Sequence, residues 1–239
     1  MKVLFSDYDG TIKTFDTYPT FFERRTFKKN IDAIDKFLGD GNKFVITTGR
    51  NTDYILEDLN KYGINYSYLT TYNGRITLND KNEMIIKKHI HKELLKQLKE
   101  ILENSNLITK TKAFNDNGFT EELTNLIILF LYSNKIDKLY ELIKDITKQY
   151  SDIKIEPNLF LKRIKINIDY TKKDGAKELV DLFNWDENDI YAVGDARNDY
   201  ELLKMYKGYK MLLSDPSLYF DIPGTTPSLH KLIKKINNI

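Results

Sequence analysis

The chain has 239 residues, enough for one large domain or a core with a second, smaller one. A hydrophobic fraction of 41% with 13% aromatics supplies a packed interior and argues against disorder. Thirty-seven basic against 35 acidic residues leave a formal charge of +2, so no long-range field demands a nucleic-acid or membrane partner. The absence of cysteine removes disulfides, thiolate nucleophiles and thiolate metal sites. No apolar run approaches the roughly 18 residues of a membrane span, and a soluble, cytoplasmic protein is expected.

In chain order, Lys2 to Ser6 is a short apolar run ending in polar residues, and Lys43 to Thr47 and Asp189 to Val193 repeat the design. Such runs are expected of strands buried on both faces of a parallel sheet. Between them, Thr26 to Leu38 and Thr52 to Tyr62 place apolar residues three and four apart, the pattern of amphipathic helices. Ala176 to Phe183 and Tyr200 to Met205 predict further helices, and Tyr209 to Leu213 another strand. Alternating strands and helices imply an α/β fold: a Rossmann-like parallel sheet with helices on both faces.

From Asn79 to Ile168 the pattern changes. Strand-like stretches at Leu126 to Tyr132 and Leu161 to Ile168 sit among two lysine-rich amphipathic helices, Lys92 to Glu103 and Lys135 to Tyr150. This segment is expected to form an inserted α+β cap, residues 79–168, between core segments 1–78 and 169–239. The helical lysines read as a solvated face.

Four strand-end clusters carry chemistry. Asp7-Tyr8-Asp9-Gly10-Thr11 follows the first strand; on its own it is also an ordinary polar turn, but in an open parallel sheet the carboxyl ends of the strands are where sites are built. Two acids two residues apart point differently in an extended segment, so one can attack while the other handles protons. Gly194-Asp195-Ala196-Arg197-Asn198-Asp199 follows another apolar strand. Several carboxylates at neighbouring strand ends repel unless a cation sits among them, and an oxygen-only set suits magnesium. Thr47-Thr48-Gly49-Arg50 offers a hydroxyl and amides for an anion, and Thr171-Lys172-Lys173-Asp174-Gly175 offers an ammonium. Together they make a phosphoryl-transfer set. His89, His91 and His230 have no metal-ligand spacing and read as structural, and no Gly-x-Ser-x-Gly or Gly-x-Gly-x-x-Gly occurs.

In this order the clusters resemble the four motifs of the haloacid-dehalogenase-like phosphatases. Tyr72-Asn73-Gly74 ahead of the inserted segment resembles the Cof-like sugar-phosphatase branch with a type IIB cap. The resemblance implies Asp7 as nucleophile and Asp9 as general acid/base, with Asp7, the Asp9 backbone carbonyl and Asp195 holding Mg²⁺. It implies Thr48, Gly49, Lys172 and Asn198 around the phosphate and Asp199 orienting the site from behind. Lys172 is preferred over Lys173 because Gly175 and Leu179 follow at the family's spacing. Arg50 and Asn73 are candidate substrate contacts, and Arg75, Lys162 and Arg163 candidate anion contacts. The implied activity is hydrolysis of a small phosphorylated metabolite, a sugar phosphate, through an aspartyl phosphate, by a monomer or weak homodimer. The alternatives are a phosphotransferase or mutase on the same scaffold, or a non-catalytic phosphometabolite-binding protein. Ser214-Asp215-Pro216 and Pro223-Gly224 depart from the family's pattern.

Overall fold

The computed structural model describes residues 1–15, 18–116, 118–218 and 221–238. It divides into two compact units, one made of Met1–Ile86 with Thr171–Ile239 and the other of Lys87–Tyr170.

The first unit starts with strand β1 (Val3–Ser6), whose four residues are all buried, as a strand covered on both faces requires. Helix α1 (Phe21–Gly39) begins five residues before the apolar periodicity does. The reason lies at Thr20: its hydroxyl accepts from Glu23 N at 3.3 Å while Glu23 Oε2 accepts from Thr20 N at 2.7 Å, a reciprocal cap. β2 (Lys43–Thr47) and α2 (Thr52–Tyr62) fall where the sequence puts them; the Asn51 side chain caps α2 and Gly63, at φ 63°, ends it. β3 (Tyr68–Thr71), β4 (Ile76–Asn79) and β5 (Met84–Lys87) follow, then the other unit, then α5 (Lys172–Phe183), β11 (Ile190–Gly194), α6 (Tyr200–Met205), β12 (Lys207–Met211), β13 (Gly224–Thr226) and α7 (Leu229–Asn237). The sheet order is β13-β12-β11-β1-β2-β3-β4-β5. Strands from β13 through β3 run parallel to their neighbours, and β4 pairs antiparallel with β3. The sheet winds outward both ways from β1, the arrangement that opens a crevice at the carboxyl ends beside the central strand. Phe5 lies in the core beneath, stacked on Tyr206 at 5.9 Å between ring centroids.

The second unit holds α3 (Lys92–Asn104), β6 (Lys110–Asn115), β7 (Gly118–Thr120), β8 (Ile128–Tyr132), α4 (Ile136–Thr147), β9 (Ile153–Asn158) and β10 (Arg163–Ile168). Its sheet, β7-β6-β8-β10-β9, is antiparallel. Leu129, Leu131, Ile164 and Ile166 turn inward onto Leu94, Leu98, Leu139 and Ile143 of the helices. On the opposite face Lys112, Phe130 and Lys165 stand in register, with the Arg163 guanidinium 4.7 Å from the Phe130 ring centre.

The division falls at 86/87 and 170/171, whereas the sequence reading put it at 78/79 and 168/169. The difference comes from the turn after Asn79, where the Asn79 side chain accepts from Lys81 N and Glu83 N at 2.9 Å; it returns the chain as β5 to the large sheet. Among the described residues no helix is long and apolar enough to cross a membrane.

Candidate active site

Three adjacent strands, β11, β1 and β2, deliver Asp195, Asp7 and Thr48 just past their carboxyl ends. Asp7 extends the pairing of β1, its N–H donating to Val193 O at 2.9 Å, and is 6% exposed. Lys172 opens α5, a helix begun by Thr171, whose N and Oγ1 donate to Asp174 Oδ2 at 2.8 and 2.6 Å. The Lys172 side chain is fully buried, and its Nζ donates to Asp7 Oδ1 at 2.5 Å and to Asp199 Oδ1 at 2.7 Å. Asp199 Oδ2 accepts from the backbone of Asp195 and Ala196 at 3.1 and 3.0 Å, so both its oxygens are fixed. Thr11 Oγ1 donates to Asp195 Oδ1 at 3.4 Å. Gly10 is required for this approach: at φ +75° its missing Cβ would lie 2.1 Å from Asp195 Oδ2.

Oxygens of Asp7, Asp195 and Asp199 lie within 4.8 Å of one another. Burial pushes the Asp7 carboxyl well above the usual carboxylate range; Lys172 pulls it back only in part, and Asp199 and Asp195 add to the rise. Asp195 is raised for the same reasons, burial first and Asp199 second. Burial alone would lower the Lys172 ammonium, but attraction to Asp7 and Asp199 overrides it and the group is held strongly cationic. One ammonium among two buried carboxylates and the half-buried Asp195 leaves the acidic groups in excess, and the donors are all oxygen. That chemistry fits a hard divalent cation such as Mg²⁺.

The Asp9 carboxylate lies outside this cluster, and its partner could not be read from any motif. Arg50 Nε and Nη2 donate to its two oxygens at 2.7 and 2.6 Å. The third arm of Arg50, Nη1, donates to Asp58 Oδ2 at 2.8 Å, and the guanidinium stacks over the Tyr8 ring at 5.0 Å. Arg50, a candidate substrate contact in the sequence, is thus engaged by two carboxylates. Asp58 also accepts from Lys13 Nζ at 2.9 Å and Tyr8 OH at 3.3 Å. Lys13 and Asp58 went unnoticed because neither stands in a motif and they are 45 residues apart in sequence.

The remaining candidates separate clearly. Thr48 is buried and its Oγ1 accepts from Arg50 N at 3.2 Å, beside exposed Gly49. Lys173 lies on the outside of α5, 3.8 Å from Glu201, so Lys172 is the residue at the carboxylates. Asn73 accepts from Asn198 Nδ2 at 3.2 Å, and its Oδ1 stands against Gly49. Arg75 is buried and donates to Tyr72 O at 2.7 Å, bracing its own turn instead of presenting a free anion contact. That turn carries three successive positive φ values, Tyr72 at 52°, Asn73 at 56° and Gly74 at 97°. It seats α5: a Cβ on Gly74 would lie 2.6 Å from Thr171 O, and one on Gly175 would lie 2.7 Å from Gly74 Cα. Lys162 and Arg163 belong to the other unit, and the histidines take structural partners: His89 on Asp116, His91 on Asp152, His230 on Asn30.

The profile of the haloacid dehalogenase-like hydrolases matches residues 4–122 and 107–217. The chain belongs to that family. A solved structure from Thermotoga maritima shares 18% identity with this hydrolase, covering all of this chain and 97% of the other, at a TM-score of 0.75. A phosphatase of the superfamily from Bacteroides thetaiotaomicron shares 20%, covering 100% and 96%, at 0.72. A subclass IIB sugar phosphatase shares 18% over the full length of both chains at 0.67. No curated protein matches the sequence significantly. At these identities the likeness establishes the fold, an α/β sheet core of this family with an α+β unit.

Proposed function

We propose that this hydrolase is a magnesium-dependent phosphatase that cleaves a small phosphorylated metabolite, a sugar phosphate, through an aspartyl phosphate on Asp7. The observation that carries the reading is the buried Lys172 ammonium joined to both Asp7 and Asp199 in a cluster that also contains Asp195. A carboxylate to act as nucleophile, a cation to neutralise an anion and further carboxylates thus lie together beside the ends of β1 and β11, a set suited to phosphoryl transfer.

In the first step an oxygen of Asp7 attacks phosphorus and the bond to the leaving oxygen breaks, while Asp9 gives that oxygen a proton. In the second, Asp9 takes a proton from water, the water oxygen attacks phosphorus, and the Asp7–phosphorus bond breaks to release phosphate. The Thr48 hydroxyl, with its oxygen already accepting from Arg50 N, keeps its proton to donate to a phosphoryl oxygen. Lys172 neutralises charge on the same group. Asp7, Asp195 and the Asp9 carbonyl would hold Mg²⁺, which offsets the repulsion between carboxylate and phosphate. The unit of residues 87–170 is assigned the selection of the leaving group. The neighbour named as a subclass IIB sugar phosphatase favours a sugar phosphate, and the intact Asp7 and Asp9 argue against a protein that merely binds.

The test is phosphate release from a panel of phosphorylated metabolites, with magnesium and with excess chelator. Turnover that vanishes on chelation and returns with magnesium is expected. Transfer to an added sugar in place of release would make the protein a phosphotransferase, and full activity in chelator would remove the metal from the reading.

A further inference from the structure

The general acid/base assigned to Asp9 stands on a loop and is 53% exposed, conditions that ordinarily leave a carboxylate free to sample several rotamers. Proton transfer at a reacting centre tolerates little misplacement, on the order of 1 Å for a 100-fold loss. Something must therefore hold it. Arg50 grips both oxygens, but an arginine gains that geometry only by giving up side-chain freedom. Here the freedom is already spent: the guanidinium lies against the Tyr8 ring, and its third arm is tied to Asp58. Asp58 sits on α2, a rigid element, and is itself fixed by Lys13 and by the hydroxyl of Tyr8, whose side chain is fully buried. Two acidic side chains, Asp9 and Asp58, thus face two basic ones, Arg50 and Lys13. Burial tends to raise the Asp58 carboxyl, yet Lys13 and Arg50 hold it below the usual range.

We propose that Asp58 is a positioning residue for the reaction: through Arg50 it fixes the Asp9 carboxylate in the orientation for proton transfer to the leaving group. Nothing in the phosphoryl-binding pocket requires Asp58, which lies outside the cluster of Asp7, Asp195 and Asp199. The inference rests on the proposed phosphatase activity and on the assignment of Asp9.

The experiment compares Asp58→Asn with the unaltered enzyme on a dinitrophenyl phosphate, whose leaving group needs no proton, and on an alkyl phosphate, whose leaving group does. The expected result is a kcat loss of about 10- to 100-fold on the alkyl ester, at least tenfold larger than on the aryl ester. KM should change little. In an Asp9→Asn background, the same Asp58 substitution should add no further loss, because the two act through one carboxylate. Equal losses on both esters, an unchanged or faster alkyl reaction, or full additivity with Asp9→Asn would each overturn the proposal. Arg50→Lys keeps the charge but cannot bridge both carboxylates; it should show the same leaving-group signature and decides the matter if Asp58→Asn does not fold. Failure of the unaltered enzyme to release phosphate from either ester would instead refute the phosphatase reading, and this inference with it.

Discussion

The two sheets of this protein use the same elements for opposite ends. In the large one, β1 and β11 are buried along their whole length and polar function begins only where the strands stop, at Asp7, Thr48 and Asp195. In the small one, β8 alternates: Leu129 and Leu131 face the helices while Ile128, Phe130 and Tyr132 face away, and its charges are spread over a side as Lys112, Arg163 and Lys165. A parallel sheet covered on both faces has only its ends to offer chemistry. An antiparallel sheet covered on one face offers an area, which suits contact better than catalysis.

That contrast is most sharply tested at Asp7, the proposed nucleophile. Asp7→Asn should abolish turnover and leave no phosphoenzyme, whereas Asp9→Asn should lose about 10²- to 10⁴-fold and accumulate a hydroxylamine-labile adduct from an activated ester. Rapid quench with labelled ester reads both, and an adduct in Asp7→Asn would reverse the roles. Next, Lys172→Met strands Asp7 and Asp199 in the interior. Breaking a buried pair of this kind costs about 3–5 kcal/mol, readable as a lower urea midpoint, with added Mg²⁺ recovering part of it. No change in midpoint would mean that the ammonium is not the counterion of the cluster.

In the small sheet the largest effects should come from apolar residues instead. Leu131→Ala is expected to cost about 2–5 kcal/mol, while Lys112→Ala on the opposite face should stay within about 0.5 kcal/mol. A reversal would mean that the open face is structural. The smallest effect is one of pH. Burial would raise Asp116, but His89 and Lys87 hold it below the usual carboxylate range. Its folded-state value lies under the unfolded one, so its contribution is complete above roughly pH 4 and is lost as pH falls through the depressed value. Asp116→Asn should flatten that acid limb of the stability curve, and an unaltered limb would show the pair to be inert.

How much of this was legible in the sequence depended on range. β2 and α2 match the sequence-derived limits because a buried run and a 3.6-residue period are local signals. Helices α1 and α5 start earlier than their apolar pattern, at caps made by Thr20 and Thr171, since a hydrogen-bonded cap adds turns that hydrophobicity does not record. β3, reading Tyr-Leu-Thr-Thr, was invisible: Thr70 and Thr71 are buried by their neighbours in the sheet and not by any preference of their own. The carboxylates at the strand ends were found by motif. The tie from Asp9 through Arg50 to Asp58 was not, because it is a product of the fold.

The contact of Gly74 with Gly175 carries one more consequence. Backbone meets backbone there, so the turn ahead of β4 is clasped to the first turn of α5, about a hundred residues later in sequence, while the chain itself leaves the first unit after Ile86 and returns at Thr171. Closing a flexible loop costs only about 0.6 kcal/mol more for each doubling of its length. With both sides of the clasp inside the first unit, that unit is expected to depend little on the length of residues 87–170. Such a clasp makes residues 87–170 an exchangeable module, one that can be lengthened, trimmed or replaced while β4, β5 and Lys172 stay with the carboxylate cluster.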